Sequence, residues 1–92
     1  MTLQEAKDVL RIDTTDNDDL IESLIAALPG YIELTTGLRE ANQAAEPLVK
    51  TVSGFIIMLW YYADHTDDMK LNRTIDSLLK AITLKARTQP TE

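Results

Sequence analysis

No cysteine occurs in the 92 residues, which excludes disulfides and thiolate-held metals as sources of stability. Glycine and proline number three each, and no segment alternates cleanly between polar and apolar, so strand signals are weak. No glycine-rich phosphate loop is present. Cations are scarce: nine Lys and Arg stand against fifteen Asp and Glu, a formal charge of -6. A protein that coats nucleic acid or docks on an anionic membrane needs the opposite balance. The longest apolar run, FIIMLWYYA from Phe55 to Ala63, has nine residues, far short of the roughly 20 that a membrane span requires. The opening MTLQEAKDVL carries an early acid and no apolar signal core, and so predicts no secretory targeting.

What remains is helical spacing. The length suits one small domain, 1–92, with a loose tail from about 88. Thr2 and Glu5 have capping-box spacing ahead of a short first helix, about 3–10, with Leu3, Ala6 and Leu10 inward and Val9 and Ile12 beside them. Asp16 is the expected N-cap of a second helix. Asp18, Asp19 and Glu22 fall in its first turns, where the helix dipole favours anions by about 0.3–1 kcal/mol each. That helix carries Ile21, Leu24, Ile25, Leu28 and Ile32. Pro29-Gly30 interrupts it, and one kinked helix over about 17–36, closed by Gly37, is favoured over two separate ones. A polar connector leads to Pro47, which suits the first turn of a third helix over about 47–65. Asn72 or Thr74 is the expected cap of a fourth helix with Ile75, Leu78, Leu79, Ile82 and Ala86 inward. The fold class is therefore all-α: a small bundle of about four helices with a long kinked second helix and a buried apolar third helix.

The third helix poses a packing problem. Leu48, Val52, Phe55, Leu59 and Tyr62 form one stripe, expected to be core. Yet Ile56, Ile57, Met58, Trp60 and Tyr61 are apolar on its other sides, and a helix apolar all round must be surrounded. A chain this small buries only about 60–65% of its unfolded surface. Either the other helices wrap this one completely, or a remainder serves as a subunit contact, for which Ile56, Met58, Trp60 and Tyr61 are the candidates. Gly54, inside the helix at a cost of about 1 kcal/mol relative to Ala, points to close approach of another helix.

Chemical sites are poorly supported. In Asp13–Asp19 a calcium loop starting at Asp16 would need Gly and Glu where Ile21 and Ala27 stand. Asp64, His65, Asp67 and Asp68 lack the spacing of a structural zinc site, which wants four ligands. Neither Ser23 nor Ser53 sits in a nucleophile elbow. No catalytic residue, cofactor site or metal site is expected, and the protein is not expected to be an enzyme. Charge is unevenly placed: residues 1–46 carry a net -7 and residues 47–92 a net +1. A helix-turn-helix reading would rest on Arg73, Lys80, Lys85 and Arg87, which gather towards one end and are interrupted by Asp76.

The order of these features resembles the head–tail connector proteins of tailed phages and prophages. The resemblance is carried by MTLQEAKDVLRID with its Leu10-Arg11-Ile12-Asp13 turn. It continues in DDLIESLIAALPGYIELTTG with Tyr31, Thr36 and Gly37, in FIIMLWYYADHTDD, and in the closing IDSLLKAITLKAR. The Pro29-Gly30 break and the short connector after Gly37 depart from the family pattern. The resemblance implies a structural adaptor without cofactor. Copies of it form a ring, alone or only on the portal template, beneath the portal of a DNA-filled head. A tail-side stopper or tail-completion protein then docks on the ring. DNA passes through without specific binding, and no membrane is involved. The place implied is the head–tail junction of the virion, after assembly in the bacterial host cytoplasm. Asp13, Asp16, Asp18, Asp19 and Glu22 are candidates for an acidic channel face or a contact with a neighbour's basic spot. Pattern alone leaves a small regulatory protein-binding module, or a DNA-binding regulator, as the alternative.

Overall fold

Thr2 opens the first element as the sequence predicts. Its hydroxyl accepts from the Glu5 N–H at 3.1 Å, and the Glu5 carboxylate accepts from the Thr2 N–H at 2.9 Å, so two backbone donors of the helix end are satisfied reciprocally. In this computed structural model, which describes residues 1–62 and 69–90, the helix α1 spans Leu3–Leu10 and is followed by α2 Asp18–Thr36, α3 Glu40–Gln43, α4 Pro47–Tyr61 and α5 Met69–Ala86. No strand occurs among the described residues. The protein is an all-α bundle.

Arg11 closes α1 in the left-handed region, φ 60°. There the Ile12 N–H reaches the Lys7 carbonyl at 2.9 Å, and the Arg11 N–H reaches that of Asp8 at 3.3 Å, the reversal that ends a helix and turns the chain back. The cap of α2 differs from expectation. Asn17, not Asp16, occupies the N-cap and makes no side-chain cap bond; its amide nitrogen donates instead to the Tyr61 hydroxyl at 2.7 Å. α2 runs as one element through Pro29. The ring removes a bond to the carbonyl of Ile25, but Leu28 and Ile32 on either side are buried. The Gln43 amide also donates to the Pro29 carbonyl at 2.9 Å, tying the break to α3. Gly37 then ends α2 at φ 82°, a conformation that suits glycine.

The polar connector holds the one-turn α3. Pro47 starts α4, and Glu46 caps it by accepting from the Leu48 N–H at 3.2 Å. α5 is already helical at Met69, so Asn72 and Thr74 are interior positions, not caps. Residues 88–90 are held where a loose tail is expected. The Gln89 side chain donates to the Gly37 carbonyl at 2.8 Å and accepts from the Arg39 N–H at 2.8 Å and the Asn42 amide at 3.0 Å.

The core centres on Ile21, Ile32, Val52, Ile56, Ile57 and Ile82, all fully buried. α4 presents to it Val49, Val52, Ser53, Ile56 and Ile57. The expected stripe of Leu48, Phe55, Leu59 and Tyr62 is only half-buried, apart from Val52. The inward face is therefore rotated by about a quarter turn. Ile56, a candidate contact residue, is 1% exposed and belongs to the protomer's own core. Gly54 meets no tight neighbour: a Cβ there would lie 3.8 Å and 3.9 Å from the Val9 methyls, an ordinary contact, so the close approach expected of it is absent.

Candidate assembly surface

The remaining candidates of the apolar run lie at the C-terminal end of α4, half-buried. Trp60 meets Tyr31 of α2 edge to face, with ring centroids 5.2 Å apart. Tyr61 and Tyr62 make a second such pair at 4.9 Å. Their hydroxyls reach outward from the pair: Tyr61 accepts from Asn17, and Tyr62 donates to the Leu10 carbonyl at 2.8 Å. The aromatic end of α4 thus fastens the corner between α1 and α2. Buried hydroxyls need such partners. Met58 is half-buried beside this group.

The five acidic candidates divide. Asp18 is part-buried and forms an ion pair with Lys7 at 3.0 Å, joining α2 to α1. Asp13, Asp16, Asp19 and Glu22 are exposed and enter no ion pair among the described residues. No group of three or more His, Cys, Asp or Glu among the described residues is placed to hold a metal ion. Asp64, His65, Asp67 and Asp68 lie outside the described residues. A different acid is electrostatically marked. The carboxylate of Glu5 is held down to about 2 by the Thr2 backbone N–H, then by Lys50 at 3.2 Å and the Thr2 hydroxyl.

Large apolar side chains do stand in water, but on α2 and α5 instead of α4. Leu34 is 88% exposed, Leu84 61% and Leu20 51%, with Tyr31 also exposed. Along α2, Leu20, Leu24, Ala27, Tyr31 and Leu34 recur at steps of four and three beside the core-facing row of Ile21, Ile25, Leu28 and Ile32, with Leu24 half-buried against the core. On α5 the outer face carries Arg73, Lys80 and Leu84, with Arg87 just past its end, all exposed. The signal for the α2 seam was in the sequence. Leu20, Tyr31 and Leu34 add a second apolar side to a helix whose core row already accounts for burial.

A groove of about 660 Å³ lies between α2, α3 and α4, with Leu28, Pro29, Ile32 and Val49 in its lining and Glu40 and Lys50 among its polar residues. These groups supply no nucleophile and base in contact. A sequence model of the family described as Phage gp6-like head-tail connector protein matches residues 1–87. Neither the curated proteins nor the solved structures gave a match.

Proposed function

The chain belongs to the phage gp6-like head-tail connector family, and from that premise we propose that its copies close into a ring beneath the portal of a DNA-filled head. The ring joins the head to the tail or to a stopper protein. The protein then resides at the head–tail junction of the virion, assembled in the host cytoplasm. The family match over nearly the whole chain carries this reading. The exposed apolar residues on two different helices support it, because a ring needs two unlike faces on each copy that meet head to tail.

Charge fits the same role. A channel through which DNA slides is best served by a lining that does not release counterions by gripping phosphate. Asp13, Asp16, Asp19 and Glu22 are placed on that lining or against a neighbour's cations. Asp18 has its partner in Lys7 and serves the protomer. Met58, Trp60 and Tyr61 sit at the edge of the subunit contact, where half-buried aromatic residues are completed by a second copy.

The test mixes the purified protein with the portal assembly of the same phage and images the product by electron microscopy. An added ring of density beneath the portal is expected. A protein that neither joins the portal nor forms rings by itself overturns the proposal.

A further inference from the structure

We infer that the ring closes through a parallel pair of helices, an exposed stripe of α2 in one copy seated along the outer face of α5 in the next. This rests on the ring reading and says which surfaces close the ring. On α2, Leu20, Ser23, Ala27, Gly30 and Leu34 recur at alternating steps of three and four, and all five are exposed. Leu20 is 51% and Leu34 88% exposed at the two ends, and a Cβ at Gly30 between them would meet nothing within 4 Å. Leu24 and Tyr31 lie beside this stripe and serve the protomer, packed on the core and on Trp60. On α5, Met69 and Leu84 are exposed at the two ends of a face whose middle carries Arg73 and Lys80. Stripes with this spacing on two nearly parallel helices interdigitate as ridges and grooves.

Direction follows from the fold. Asn17, ahead of α2, is bonded to Tyr61, at the end of α4 and ahead of α5. Gln89, past the end of α5, is bonded to Gly37 at the end of α2. The two helices therefore run parallel within a protomer. A ring rotation about an axis along the bundle preserves that direction, so α2 of one copy meets α5 of the next in parallel. The lengths agree. Leu20 and Leu34 are fourteen residues apart and Met69 and Leu84 fifteen, about 21 and 22 Å along a helix. Seating Leu34 on Leu84 brings Leu20 within one residue of Met69.

Charge selects a second copy as the occupant. α2 carries Asp18, Asp19, Glu22 and Glu33 and no cation. α5 carries Lys70, Arg73, Lys80 and Lys85 against one acid, Asp76, with Arg87 just beyond. A symmetric pair through α2 would set acids against acids, and one through α5 cations against cations. The unlike pairing attracts, and unlike faces generate rings. The same register satisfies individual charges. Asp19 and Glu33 flank the α2 stripe two heptads apart, and Arg73 and Arg87 stand two heptads apart on α5. With Leu34 on Leu84, Arg73 falls one turn past Asp19 and Arg87 one turn past Glu33, where charges flanking the seam of parallel helices pair. These four side chains enter no ion pair of their own among the described residues. Glu33 accepts from the Glu40 N–H through one carboxylate oxygen.

The experiment uses full-length chains changed at exposed positions, with helix content by circular dichroism as the folding control. The chain has no cysteine, so Leu34→Cys with Leu84→Cys introduces the only thiols. Mild oxidation of the assembled protein, alone and on the portal, is expected to give a ladder of cross-linked copies on a denaturing gel. Leu20→Cys with Leu84→Cys sets the thiols at opposite ends of a parallel pair and is expected to give none. Separately, Asp19→Arg and Arg73→Asp are each expected to lower assembly by about tenfold, since like charges then meet in the contact. Both changes in one chain are expected to restore it. A ladder from the second thiol pair, no ladder from the first, or charge variants that assemble as the wild type does overturn this interface and leave the connector reading standing. Loss that the combined change does not restore also overturns it, and points to the portal as the occupant of the α2 stripe. Failure of the wild type to assemble under either condition overturns both.

Discussion

Glu5 is a surface carboxylate held from two sides, by the Thr2 N–H at 2.9 Å and by Lys50 across on α4 at 3.2 Å. Its acidity is pushed to about 2 from an ordinary 4.5. A carboxyl with a depressed folded value stabilises the fold above its unfolded value and loses that contribution as the pH falls through the folded one. Thermal stability should therefore decline from about pH 4.5 towards 2. Glu5→Gln, which keeps the reciprocal cap geometry but removes the charge, should flatten part of that decline in a melting-temperature series. Gly54 gives a second residue-scale expectation. Its neighbours leave room for a methyl group, and Ala is the better helix former by about 1 kcal/mol. Gly54→Ala should raise the unfolding free energy obtained from a urea titration by about that much. The Thr2–Glu5 cap was legible because its two partners are three residues apart. The role of Asn17 was not, because its partner, Tyr61, is 44 residues away.

At the scale of elements, the reading succeeded where a helix has one polar side and failed where it has none. α1 and α2 announced their inward rows by spacing. α4 is apolar around most of its circumference, so periodicity could not choose which side faces the core. The packing of α1, α2 and α5 against it chose Val49, Val52, Ile56 and Ile57. The end of α5 was misread for a related reason. Gln89 looks like tail, yet it joins the turn after α2 to the start of α3 through three hydrogen bonds. Each such bond is worth roughly 0.5–1.5 kcal/mol net, and partial exposure favours the low end. Gln89→Ala should cost about 1–2 kcal/mol by denaturant titration, with amide exchange accelerating first at Arg39.

For the whole molecule, the most exposed large apolar side chains lie on α2 and α5 and not on α4. Surplus apolar area was assigned to α4, whose residues 52–62 are all at least half-buried. The area in water belongs to α2 and α5, where it had passed for ordinary amphipathic character. Trp60 joins the two accounts, since it packs on Tyr31, itself part of the α2 seam. Trp60→Ala should weaken ring assembly more than it weakens folding, whereas Ile56→Ala should cost the protomer about 2–5 kcal/mol. Sedimentation and thermal melts on the same two variants would separate these outcomes. Equal loss of folding in both would place Trp60 wholly inside the protomer.

The acids at the start of α2 and the basic end of α5 lie far apart. Gln89, just past α5, is bonded to Gly37 at the end of α2, and the nineteen residues of α2 extend roughly 28 Å. Glu33, Glu40 and Glu46 offset the cations at that end, so the surplus of acids at the other makes the protomer a permanent electric dipole. Any strongly charged body it approaches exerts a torque before contact, so that copies joining the proposed ring would arrive already turned one way round. Directionality in the finished particle can thus begin in solution, during diffusion, ahead of any docking.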